Sequence, residues 1–172
     1  MIIRPATPAD LPCLGLLVQQ ELAYQRTIAP GCDRVFAGNG HHITPATLET
    51  PQARVWVAEQ NGNLVGYIAV RVPPLVRRRL LGETLKRFIL RKTIPSIVRQ
   101  RGVGWIEDCY VPPEARRQGI GRALVQEALA WLQTQHMTRV ELTVFAANHG
   151  GRAFWEQQGF APMRLLLARE IN

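Results

Sequence analysis

The chain has 172 residues, 47% of them hydrophobic, and a formal net charge of +8. That is enough apolar material for one core and too much for a disordered chain, while no uninterrupted apolar run approaches the ~20 residues of a bilayer span and no basic segment leads into an apolar stretch at the N-terminus as a secretory signal would. Three cysteines (Cys13, Cys32 and Cys109), odd in number and without metal-ligand spacing, argue against a disulfide framework and fit a reduced, cytoplasmic setting.

Thr7-Pro8-Ala9-Asp10 offers a capping residue, a Pro at the first helical position and an acid three residues after the cap. A helix should therefore run from about Pro8 to Tyr24. Residues 29–53, rich in Gly, Pro, His and Thr, read as loop with at most one short helix. His41-His42 lies there without a Cys or carboxylate partner, so no metal is expected. Arg54 to Glu59 reads as a strand, Asn61-Gly62-Asn63 as a turn, and Leu64 to Val72 as the paired strand, stopped by Pro73-Pro74.

The positive charge is concentrated in the next segment. Residues 73–102 hold nine bases against the single acid Glu83, and the rest of the chain carries twelve of each sign. From Leu75 to Lys92 the pattern is helical, with Leu81, Leu85, Phe88 and Ile89 on one face, and Pro95 ends it. Three readings compete for this basic insertion. It is a substrate lid for an acidic ligand, a basic helix that touches nucleic acid or an anionic surface, or a solvated helix that covers the sheet or a homodimer partner. Phe88 is its only aromatic residue, so base stacking is not supported.

Val103 to Val111 should be a strand. Arg116-Arg117-Gln118-Gly119-Ile120-Gly121-Arg122 follows, opening a helix from Gly121 to about Gln135 with Leu124, Val125, Ala128, Leu129 and Leu132 at helical spacing. Glycines at a helix entrance let a ligand approach the backbone, and the helix dipole favours an anion there. The flanking arginines add forked donors suited to phosphate. The turn lacks the Gly-Lys-Ser/Thr ending of a Walker loop and the third glycine of a dinucleotide fingerprint. Arg139 to Val144 alternates as a strand should, Asn148 and the block Ala153-Phe154-Trp155 to Gly159-Phe160 come next, and Met163 to Ala168 reads as a closing strand.

The run Arg-x-x-Gly-x-Gly resembles motif A of the GNAT superfamily of N-acetyltransferases. The strand, Asn148 and the Phe154-to-Phe160 block downstream are similar to that family, as is the opening strand and helix Ile2 to Leu11. The resemblance covers nearly the whole chain except residues 73–102. It implies a single α/β (α+β) domain over 1–172, with a mixed, mostly antiparallel sheet, helices on both faces, and a V-shaped opening between two central strands.

The resemblance further implies acetyl-CoA as cosubstrate. Its pyrophosphate would meet the turn of Arg116, Arg117, Gln118, Gly119, Ile120, Gly121 and Arg122, and its pantetheine arm would lie along Cys109, Tyr110 and Val111. Asn148, Phe154 and Trp155 complete the expected cofactor contacts. An amine substrate must lose a proton before it attacks, and Glu107 and Asp108 are the candidate bases. In a regular strand Glu107, Cys109 and Val111 share one face and Asp108 and Tyr110 the other, which favours Glu107; a bulge would swap the two. The Ile-Glu-Asp-x-x-Val pattern is similar to that of diamine N-acetyltransferases. The alternative is that both acids only bind arginines. Glu141 and Thr143 are runners-up. Where many family members place a proton-donating Tyr, this chain has Trp155, which is no acid; Tyr24 is a further substrate-facing candidate. The competing function is a CoA-binding module with a regulatory or nucleic-acid-associated role and little turnover. The turn cannot distinguish acetyl from other acyl groups, since it reads the CoA end.

Overall fold

A computed structural model describes residues 1–29, 43–73, 102–167 and 169. The expectations placed on the basic insertion, on Cys32 and on His41-His42 lie outside the described residues, apart from Pro73 and Gly102 at the ends of the insertion. Five strands form one sheet in the order β1 (Ile2–Pro5), β2 (Ala53–Gln60), β3 (Asn63–Arg71), β4 (Val103–Tyr110) and β5 (Arg139–Glu141). The first four are antiparallel neighbours, and β5 runs parallel to β4. This is the mixed, mostly antiparallel sheet expected from the sequence.

The helices divide between the two faces. A 3-10 turn at Pro8–Asp10 leads into α1 (Leu11–Ile28), one turn longer than the spacing suggests. Its start is fixed as the sequence implies: the Thr7 amide and hydroxyl both donate to Asp10 Oδ2, at 2.7 and 2.8 Å. Arg4 donates to both oxygens of the same carboxylate at 2.8 Å, which holds the Asp10 carboxyl well below the usual range. α1 lays Leu14, Leu17 and Val18 on Val55, Val57, Tyr67, Ala69 and Tyr110. The loop before β2 contains α2 (Pro45–Glu49), capped by Thr44. On the opposite face α3 (Ile120–Thr134) packs Ile120, Leu124, Val125, Ala128 and Leu132 against Trp56, Ile68, Val70 and Ile106. α4 (His149–Gln157) follows β5.

Three local features set the register. Asn61 and Gly62, with φ of 52° and 77°, make the tight turn between β2 and β3 that their residue types favour. Ala69 pairs with Asp108 and Val70 with Ile106, so Glu107 is an extra residue in β4. β5 stops at Glu141, its last pair being with Trp105. The strand expected to continue to Val144 is thus three residues long, because the β4–β5 ladder ends there and Leu142 to Val144 pair with no strand among the described residues. The closing strand expected from Met163 is also absent among the described residues: Met163 to Leu167 form no strand, and Leu165, Leu166 and Leu167 are 78–90% exposed. Their apolar character reads as strand in isolation, but no neighbouring strand among the described residues pairs with them.

Candidate active site

The chain leaves β4 through Val111 and Pro112 into a 3-10 turn at Pro113–Ala115, closed by the Ala115 amide on the Pro112 carbonyl at 2.9 Å. Arg117 and Gly119 then adopt left-handed backbone, φ 64° and 80°. Glycine takes this conformation freely and arginine does so rarely. Ile120, 1% exposed, anchors the turn in the core. Among the described residues the amides of Arg117 through Arg122 have no backbone acceptor, and the first inward bond is that of the Ala123 amide to the Gly119 carbonyl at 3.0 Å. A Cβ on Gly119 would meet nothing within 4 Å, so the space over the turn is open. Unbonded amides at the positive end of a fifteen-residue helix form a seat for an anion such as a phosphate group.

Gly121 has a different reason to be glycine. A Cβ there would stand 3.1 Å from Cε2 and Cζ of Phe154, so α4 lies directly on the start of α3. Arg117, Gln118 and Arg122 are exposed beside the seat. Arg116 is engaged elsewhere: its Nε–H donates to the Val111 carbonyl at 2.9 Å, and its guanidinium carbon lies 4.5 Å from the centre of the Tyr24 ring.

The β4–β5 ladder ends at Trp105 and Glu141, so among the described residues the second half of β4 is paired on its β3 side alone. Cys109 and Val111 pack toward the α3 face and Tyr110 is buried on the α1 face, the alternation the sequence suggests. Burial pushes the Cys109 thiol up, with Glu21 and Asp108 adding to it, so the thiol stays protonated. Burial likewise raises Tyr110, against the neighbouring Arg116.

Of the acidic pair, Asp108 follows the regular alternation and Glu107 does not. Because Glu107 is the extra residue of the bulge, Ile106 falls on the α3 face while Asp108, opposite Ala69, falls on the α1 face with Tyr110. Glu107 does not join Cys109 and Val111; its carboxylate is gripped by Arg71, Nε to Oε1 at 2.8 Å and Nη2 to Oε2 at 3.1 Å. Glu141 is ion-paired with Arg139 at 2.8 Å and Arg164 at 3.4 Å, and Thr143 is exposed.

Asn148 caps α4, its Oδ1 accepting from the Gly151 amide at 2.8 Å. Trp155 sits between Phe154 and Phe160, edge-to-face with both, at 4.9 and 5.3 Å between ring centres. Sequence reasoning missed one functional-looking group. Glu21, 7% exposed, accepts a short hydrogen bond from the hydroxyl of the fully buried Tyr67 and another from Gln25 Nε2 at 2.9 Å. Burial, then the charges of Glu21 and Asp108, push the Tyr67 phenol far up. The signal was present: Leu14, Leu17, Val18 and Glu21 mark one helical stripe, with an acid at a core position. Among the described residues no three His, Cys, Asp or Glu side chains gather as a metal site, and no helix is long and apolar enough to cross a membrane.

Comparison with known proteins places this geometry. Residues 30–160 match the Acetyltransferase (GNAT) family. The chain is 32% identical over 108 residues to N-acetyltransferase family 8 member 3 of Rattus norvegicus, a match covering 61% of the chain and 37% of that protein. The chain spans less than half the length of the curated relatives it matches. Among solved structures, a mutant BH1408 protein from Bacillus halodurans superposes over both whole chains with a TM-score of 0.74 at 20% identity. An aminoglycoside N-acetyltransferase in complex with CoA superposes with a TM-score of 0.63 at 14% identity, covering 99% of this chain and 100% of that one.

Proposed function

As the chain belongs to the GNAT family of acetyltransferases, we propose that it transfers an acetyl group from acetyl-CoA to a primary amine of a small molecule or peptide, by direct attack with both substrates bound. The observation that carries this reading is the row of unbonded amides from Arg117 to Arg122 at the start of α3, following the strand whose pairing with β5 ends at Trp105. Those amides would hold the pyrophosphate, with Arg117 and Arg122 screening its charge. The free half of β4, from Cys109 to Val111, would line the pantetheine arm, and Asn148 and Phe154 would border it. Bound acetyl-CoA supplies an activated thioester whose thiolate leaves readily, a thiol having a reference pKa near ~8.5, so Trp155 need not donate a proton.

Asp108 is the base in this reading. An ammonium has no lone pair, so it must first release a proton, which Asp108 takes directly or through water. Alternation keeps Asp108 on the α1 face with Tyr110, and the bulge leaves Glu107 paired with Arg71. Cys109, kept as a neutral thiol, is a poor nucleophile, which favours direct attack over an acyl-enzyme.

The test is calorimetry with CoA followed by CoA release over a panel of primary amines. Tight CoA binding with turnover of at least one amine is the expected result. Tight binding with no turnover of any amine would leave a CoA-binding module, the second reading, which Trp155 in place of an acid favours. No binding by folded protein would remove both.

A further inference from the structure

Arg116 opens the glycine-rich run, where the sequence places it among the phosphate contacts, yet its guanidinium makes two contacts that join separate parts of the fold. Its Nε–H donates to the Val111 carbonyl at 2.9 Å. This bond closes the loop from Val111 through the Pro113–Ala115 turn, so the residue immediately before the free amides is pinned to the end of β4. The carbon of the same guanidinium lies over the ring of Tyr24, 4.5 Å from its centre, in the last third of α1. α1 is in turn tied to β3 by the Tyr67 hydroxyl on Glu21.

A guanidinium with its Nε–H on a carbonyl and its carbon over an aromatic ring is a directional bridge that a lysine ammonium cannot reproduce. We infer that Arg116 is a positioning residue that links the amides of the donor turn to α1, the helix on the acceptor face, and not a phosphate ligand. Occupancy of the turn then stiffens the C-terminal turns of α1 through Val111, Arg116 and Tyr24. The inference rests on the CoA reading above, and its test separates the two.

Amide hydrogen exchange of the full chain, with and without saturating CoA, reads the link, and calorimetry reads CoA affinity independently of any amine. In wild type, CoA should slow exchange in residues 20–28 about fivefold or more. Tyr24→Phe keeps the ring and should keep the effect. Tyr24→Leu and Arg116→Lys should both lose it while binding CoA within about threefold of wild type, a change below ~0.7 kcal/mol. The inference is overturned if CoA-bound wild type leaves residues 20–28 unprotected. It is equally overturned if Arg116→Lys loses CoA affinity about tenfold or more while Tyr24→Leu keeps both affinity and protection, because Arg116 would then be a phosphate contact. Should Arg116→Lys fail to fold, the Tyr24→Phe and Tyr24→Leu pair decides alone. Absence of CoA binding in folded wild type sinks the CoA reading first, and this link with it.

Discussion

On the α3 face the candidate site is made of main chain, and on the α1 face it is made of side chains. The turn from Arg117 to Arg122 presents amides whose positions follow from two left-handed residues and a helix start. The α1 face, proposed to receive the acceptor, instead gathers Asp108, Tyr110, Tyr67 and Glu21 from three separate elements. A main-chain site tolerates change in side chains that do not alter backbone shape. A side-chain site depends on register, on burial and on each partner being present.

That contrast predicts different kinds of damage. The largest effect is expected at Asp108. Asp108→Asn removes the proposed proton acceptor, and general base catalysis typically contributes about 10²–10⁴-fold, or ~2.7–5.4 kcal/mol of barrier. Steady-state kinetics should show that loss in kcat, with CoA affinity by calorimetry unchanged. On the other face, Gly121→Val forces Phe154 away from α3, since even a Cβ there stands 3.1 Å from the ring. CoA affinity should fall about tenfold, ~1.4 kcal/mol, with kcat at saturating CoA reduced far less. Equal kcat effects from the two variants would erase the distinction between the faces.

Next in size is Tyr67→Phe. The ring is fully buried and its hydroxyl satisfies Glu21, itself only 7% exposed. Removing the hydroxyl leaves a buried carboxylate short of a donor, which costs about 1–3 kcal/mol. The urea midpoint should drop at unchanged slope. An unchanged midpoint would mean that water reaches Glu21 and that this part of the acceptor face is not dry.

The same contrast explains what could be read in advance. The donor side is local: strand, proline-containing loop, glycine turn and apolar helical stripe occupy consecutive residues from Val103 to Thr134, and the Asn61-Gly62 hairpin is equally local. The acceptor side is not. Glu21 and Tyr67 are 46 residues apart, and only the register of α1 on β3 brings them together. Arg116 carries the charge and shape of a phosphate ligand, and nothing in its immediate sequence says that Tyr24 will lie under it. Leu165, Leu166 and Leu167 have the composition of a strand, but strand formation needs a partner edge, and β5 ends at Glu141.

The bulge at Glu107 is the point where one residue of register decides a chemical role. Alternation places Glu107 with Val111, and the extra residue sends its carboxylate to Arg71 instead. That pair lies toward the surface, with side-chain exposures of 56% for Arg71 and 26% for Glu107. Such pairs contribute about 0–1 kcal/mol to stability. Glu107→Gln keeps the shape and one acceptor oxygen for Arg71, so kcat should change by less than about threefold, under ~0.7 kcal/mol, the smallest effect in this set. The comparison with Asp108→Asn is therefore the sharpest available. If Glu107→Gln instead loses activity by the factor expected for Asp108→Asn, the base lies on the bulged residue. Arg71 would then have to release it when both substrates bind, and the bulge would be a device for presenting Glu107 rather than for turning it aside.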